Sequence, residues 1–182
     1  MSILLIRIGL WSVALVLLSF ASLRDIRVRL IPNELVLSVT AIGLLAGAVD
    51  RPGTLWISFL FAFLLLIVLG TLGHYDVLGM GDAKMIAAVT LLAPLDRVPT
   101  LLLAIIMAGG VLSAVYLILN RVLKRRRRDR PANTAFARWL HRERVRIASG
   151  QSVPYGVAIF AGSAAYFIGE LHQCLFATSC SL

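Results

Sequence analysis

Charge is scarce in this chain. Asp, Glu, Lys and Arg make up 15% of its 182 residues, against about a quarter in an ordinary soluble domain. So few charges cannot cover a water-facing surface, which argues against a soluble globule. A disordered tail is excluded by the opposite measure, because 59% of the residues are hydrophobic and such tails need low hydrophobicity. Two cysteines are too few for a disulfide-stapled scaffold. No Cys-x-x-Cys occurs, and three scattered histidines form no metal-ligand cluster. No metal or other cofactor is therefore expected. The mean hydropathy of +0.89 points instead to a single domain, residues 1–182, embedded in a bilayer.

A spanning helix needs about 20 mostly apolar residues. Six segments approach that: Ile3–Leu23, Glu34–Val49, Thr54–Leu72, Ala83–Leu95, Pro99–Leu119 and Val153–Leu171. The pattern predicts an all-α polytopic membrane protein with about six transmembrane helices. The fourth segment is short for a bilayer. Either the membrane thins there or the preceding loop starts below the surface. The first segment resembles a signal peptide in its apolar run, but its positive charge follows the run, at Arg24, Arg27 and Arg29. That is the wrong polarity for a cleaved leader, so a retained helix is expected.

Basic residues set the orientation. Fifteen of the 18 Lys and Arg fall in three alternate loops, around 24–33, 73–84 and 120–150. The other three are Arg7, Arg51 and Arg97. The positive-inside rule then places the first group in the cytoplasm and both termini outside. The run Arg125–Arg128 lies in the basic loop 120–152. It lacks the aromatic interleaving of a nucleic-acid site and reads as a loop beside anionic lipid head groups. Nucleic acid is not an expected partner. Residues 134–148 have the pattern of an amphipathic interfacial helix. Cys174 and Cys180 are near enough to pair outside the cell, or to remain as two thiols. Gly43 and Gly47 in the second segment, and Ala161, Ala165 and Gly169 in the sixth, are small residues at helix-packing spacing.

Nine acidic residues remain to be placed. Asp50 and Asp96 neighbour Arg51 and Arg97 and read as solvated loop charges. Asp129 and Glu143 lie in the basic loop, Asp76 before the fourth segment, and Glu170 near the outer end of the sixth. Glu34 suits the start of a helix. Asp25 and Asp82 stand at the cytoplasmic ends of the first and fourth segments. A carboxylate at membrane depth is a functional candidate. The plain alternative is that Asp25 answers Arg24 or Arg27 and that Asp82 is a helix N-cap.

If the two acids meet, they cannot both ionise easily, and one keeps a proton. The ionised one accepts a proton from water as it attacks a peptide carbonyl, and the protonated one donates to the carbonyl oxygen. Gly79 and Gly81 flank Met80 and lack side chains that would keep a substrate backbone away. Helix ends suggest the assignment. Asp82 begins a helix and would be the ionised base, whereas Asp25 ends one and would hold the proton. Arg24, Arg27 and Arg29 act against that bias if they turn inward.

Three motifs together resemble the type IV prepilin peptidases, membrane aspartyl proteases of the GxGD kind. They are Asp25 followed seven residues later by Pro32-Asn33, then Gly79-Met80-Gly81-Asp82-Ala83-Lys84, then Val153-Pro154-Tyr155-Gly156-Val157-Ala158. The resemblance implies that Asp25 and Asp82 are the catalytic aspartates and that Gly79 and Gly81 shape the second site. Lys84, Pro32, Asn33, Pro154, Tyr155 and Gly156 would bind substrate or shape the site. The implied substrate is a prepilin, cut at the cytoplasmic face of the bacterial inner membrane, after a Gly that precedes a hydrophobic stalk. Long members of the family carry an N-terminal insert with paired Cys-x-x-Cys motifs and also methylate the new N-terminus. That insert is absent here, and with it the ground for expecting methylation. The short form is most similar to the peptidases of tight-adherence, or Flp-type, pilus systems. A transporter using the two acids as a relay would want further acids deep in several spans. A non-catalytic pilus scaffold would tolerate Asn at both positions.

Overall fold

The computed structural model describes residues 2–28, 30–75, 78–125 and 154–176. These contain six α-helices and no strand: α1 (Ser2–Val28), α2 (Asn33–Asp50), α3 (Leu55–His74), α4 (Met80–Thr90), α5 (Val98–Arg125) and α6 (Tyr155–Phe176). Each coincides with one of the six apolar segments. The protein is an all-α polytopic membrane protein. The expected interfacial helix at 134–148, with Asp129 and Glu143, lies outside the described residues. So do Asp76, Arg29 and Cys180, and with Cys180 the expected alternatives for Cys174.

Four of the six helices are long and apolar enough to cross a membrane: α1 over Leu5–Val28, α2, α3, and α5 over Val98–Leu119. The other two, α4 and α6, are not among these candidates. α4 has 11 residues, about 16 Å of helix at 1.5 Å per residue. Met85 and Val89 are almost fully enclosed, and residues from Ala83 to Thr90 other than Lys84 are buried. α6 carries Gly, Ser, Tyr and Glu among its apolar residues and packs on α1 and α4. α4 is enclosed by its neighbours and needs no lipid-facing apolar coat, whereas α6 buries one face and leaves Ile168, at 64%, exposed on the other.

Two compact units are present, one made of the described residues up to Gly109 together with those from Pro154 onward, the other beginning at Gly110. In the second, the helix runs on to Arg125 with Val111, Val115, Leu117 and Ile118 exposed. The first unit holds the core and the described residues of the three motifs at its helix ends. In it α4 touches α2, α3 and α6, while α1 packs on α2 and α6. Trp11 of α1 stacks on Phe167 at 5.2 Å between ring centres and tilts against Tyr166 at 5.6 Å.

Small residues let these helices approach, though not all those expected to. A Cβ at Gly43 would stand 2.7 Å from Leu91 Cβ, and one at Gly47 would meet Leu55. On α6 the expected stripe of Ala161, Ala165 and Gly169 is exposed. The packing face is the adjacent one, where Gly162 lies so close to α5 that a Cβ would be 2.5 Å from Ile105 Cα. Both faces have small residues at helical spacing, so the stripe alone does not choose between them.

Two loop charges are also not solvated as expected. Asp50 pairs with Arg7 at 3.5 Å, with both side chains nearly enclosed. Arg51 reaches the C-terminal end of α4, donating from Nη1 to Ala93 O at 2.7 Å and from Nη2 to Leu91 O at 3.5 Å. It thereby serves carbonyls that the helix end leaves without intrahelical partners. Asp96 remains exposed beside Arg97, which also pairs with Glu170 at 3.3 Å.

Candidate active site

The site begins with the last turns of α1. Asp25 is 6% exposed, whereas Arg24 and Arg27 on the same helix are exposed. Steps of 100° along a helix put neighbours on different faces. The carboxylate therefore turns into the bundle while the flanking guanidinium groups occupy its exterior. After α1 the chain extends through Pro32, whose φ of −66° and ψ of 143° hold it out of the helical region before α2 starts at Asn33.

α4 supplies the second acid. Gly79 occupies the N-cap, and its carbonyl accepts from Ala83 N–H at 3.0 Å. Asp82 is thus in the first turn and is not the N-cap, which sets aside the simple capping alternative. The motif's glycines are accounted for by contacts within the chain. A Cβ on Gly79 would lie 2.5 Å from Asp82 Oδ2, and one on Gly81 would lie 3.3 Å from Ile31 Cβ. The space that sequence reasoning reserves for substrate beside these glycines is filled by the protein's own carboxylate and by the residue before Pro32. Ile31 was not among the expected site residues; its place directly ahead of Pro-Asn was the available signal.

α6 adds the third motif. Pro154 is buried, and the backbone N–H of Gly156 donates to Asp25 Oδ2 at 2.8 Å. Tyr155 turns elsewhere: its ring lies against α5, where a Cβ on Gly109 would be 3.1 Å from Tyr155 Cε1. Between the first two motifs, Lys84 Nζ donates to Asn33 Oδ1 at 3.3 Å.

Asp82 and Asp25 are close enough for their charges to interact. The Asp82 carboxyl is pushed up to about 7, first by burial and then by Asp25. Its Oδ1 is buried without a hydrogen-bond partner. A carboxyl with one oxygen buried beyond the reach of any donor resists ionisation, since charge is costly to move out of water. One carboxyl inclined to be neutral beside another that accepts a backbone N–H is the combination general acid–base chemistry uses. Among the described residues no group of three or more His, Cys, Asp or Glu could hold a metal ion.

Residues of α2, α3 and α4, Asn33 and Lys84 among them, line an open cleft of about 470 Å³. Thr40, Phe59, Phe63, Ala87 and Ala88 line it, and Asn33 and Lys84 are its most polar members. It was not anticipated from sequence, because its walls come from three separate helices.

The fold and this site define a polytopic membrane protein with two interacting acids supplied by different helices. The chain belongs to the type IV leader peptidase family, which matches residues 12–114. That stretch includes Asp25, Asn33, Asp82 and Lys84, while Pro154, Tyr155 and Gly156 lie beyond it. No curated protein and no solved structure matches the chain.

Proposed function

We propose that this leader peptidase is an aspartic-type prepilin peptidase that cleaves its substrate at the cytoplasmic face of the bacterial inner membrane, with both termini outside. The observation that carries the reading is the meeting of Asp25 and Asp82, from separate motifs, one buried and hydrogen-bonded, the other drawn toward neutrality. The ionised carboxylate of the pair takes a proton from water as the water oxygen bonds to the scissile carbonyl carbon. The protonated carboxyl gives its proton to the carbonyl oxygen. On collapse the C–N bond breaks, the proton taken from water passes to the leaving amine, and one hydroxyl proton of the intermediate returns to the carboxylate that acted as acid as the C=O bond re-forms.

The cleft between α2, α3 and α4 suits the hydrophobic stalk that follows the cut. Its walls are apolar, and its polar rim at Asn33 and Lys84 is two residues from Asp82. The favoured substrate is a pilin of the Flp, tight-adherence type, on the resemblance of the short motifs. Co-expression with candidate prepilins, followed by mass spectrometry of the new N-terminus, tests the reading. The expected result is a single cut ahead of the stalk; an intact leader beside every candidate would overturn it.

A further inference from the structure

We propose that the backbone N–H of Gly156, at the start of α6, is a positioning donor that holds Asp25 as the proton acceptor of the pair and leaves the shared proton on Asp82. The inference rests on the two-aspartate reading above and adds to it a direction and a third structural part.

The bond from Gly156 N–H to Asp25 Oδ2 is 2.8 Å long and buried. α6 begins at Tyr155, so this N–H is one of the first-turn donors for which the helix has no carbonyl. The positive end of α6 faces the same oxygen. A donor of this kind binds a carboxylate better than a neutral acid. Asp82 has the opposite surroundings, with Oδ1 buried and unpartnered. Among the described residues, the basic side chains nearest the two motifs do not reverse this. Arg24 and Arg27 are exposed, Lys84 donates to Asn33, and Tyr155 packs on Gly109. The assignment is the reverse of the one drawn from the ends of α1 and α4 alone, because a donor from a third helix outweighs those two dipoles.

Glycine is required here for space. A Cβ at position 156 would stand 2.9 Å from Asp25 Oδ2, 3.0 Å from its Cβ and 3.2 Å from its Cγ. Even alanine would push α6 or the carboxylate aside. The site is therefore incomplete without α6, which lies outside the stretch that matches the family.

The full chain in nanodiscs, assayed on a prepilin, provides the test. Gly156→Ala should lower kcat roughly 10- to 100-fold, the range that misplacement of a reacting group produces, with KM within about twofold. Gly169→Ala on the same helix, where a Cβ meets open space, should change neither. Replacing residue 156 by its α-hydroxy acid analogue, an ester that removes the N–H and adds no side chain, should reproduce the kcat loss even if Gly156→Ala fails to fold. Infrared spectra at neutral pH should show a protonated-carboxyl band that Asp82→Asn abolishes and Asp25→Asn retains. Wild-type kcat in the ester variant, or a band lost only in Asp25→Asn, would overturn the inference. The infrared result needs no substrate, so it reads the proton's position even if prepilin cleavage itself fails.

Discussion

Lys84 and Asn33 are 51 positions apart, yet Lys84 Nζ donates to Asn33 Oδ1 at 3.3 Å. The bond ties the second turn of α4 to the first residue of α2, and so joins the Asp82 motif to the Pro32-Asn33 motif that follows Asp25. Both residues also line the apolar cleft. The contact accounts for two polar residues that the sequence could only group by resemblance. An exposed contact of this kind contributes little to stability; what it does is hold two cleft-lining residues of α2 and α4 together.

Asp25→Asn and Asp82→Asn should each reduce prepilin processing below detection while the protein accumulates normally in the membrane. An amide can neither accept nor supply the proton that the mechanism moves. Immunoblots of processed and unprocessed pilin, with the peptidase level as control, check this; normal processing in either variant would remove the mechanism.

The raised carboxyl of Asp82 predicts two pH effects. As a general acid it must be protonated, so kcat should fall as pH rises through about 7. Stability follows the same proton. The folded protein binds it more tightly than the unfolded chain, whose Asp titrates near 3.8. Its contribution is therefore complete below about 4 and declines up to about 7, then levels off. The difference in melting temperature between wild type and Asp82→Asn, measured across that window, should show this slope. A flat difference would mean that Asp82 titrates normally.

The glycines of the second motif should rank by what surrounds them. Gly81→Leu should cost far more activity than Met80→Leu, because position 81 abuts Ile31 whereas Met80 is 48% exposed. Gly79→Ala should also impair cleavage, by displacing the Asp82 carboxylate. Initial rates for the three variants at matched expression decide the order.

Thr40→Phe should raise KM for prepilin about tenfold with little change in kcat, since it narrows the cleft without touching the acids. An unchanged KM would place the stalk elsewhere.

In a background with Cys174 and Cys180 replaced by Ser, a membrane-impermeant thiol reagent added to intact cells should label Asp96→Cys and spare Arg127→Cys. The reverse pattern would invert the orientation argued from the basic loops.

Helix number and position were legible because hydrophobic runs are local: each of the six segments became a helix with ends shifted by a few residues. The motifs were equally legible as short strings, and folding brings Asp25 and Asp82 from two of them near enough for their charges to interact. Local pattern did not indicate which helix is internal or which face of α6 packs. α4 is enclosed by neighbours, while α6 packs through the face of Gly162 and leaves the adjacent small-residue stripe exposed. Asp50 and Arg51 look like loop charges until Arg7 and the end of α4 are brought to them. The proton assignment proposed for the pair turns most completely on tertiary structure. The ends of α1 and α4 supply a bias of ~0.3–1 kcal/mol each, whereas a hydrogen bond to a charged group is worth about 1.5–3 kcal/mol. The donor of that bond, Gly156, is 131 positions from Asp25. Periodicity and helix ends report on the nearest turn of the chain, while a contact over that distance exists only once the helices have packed.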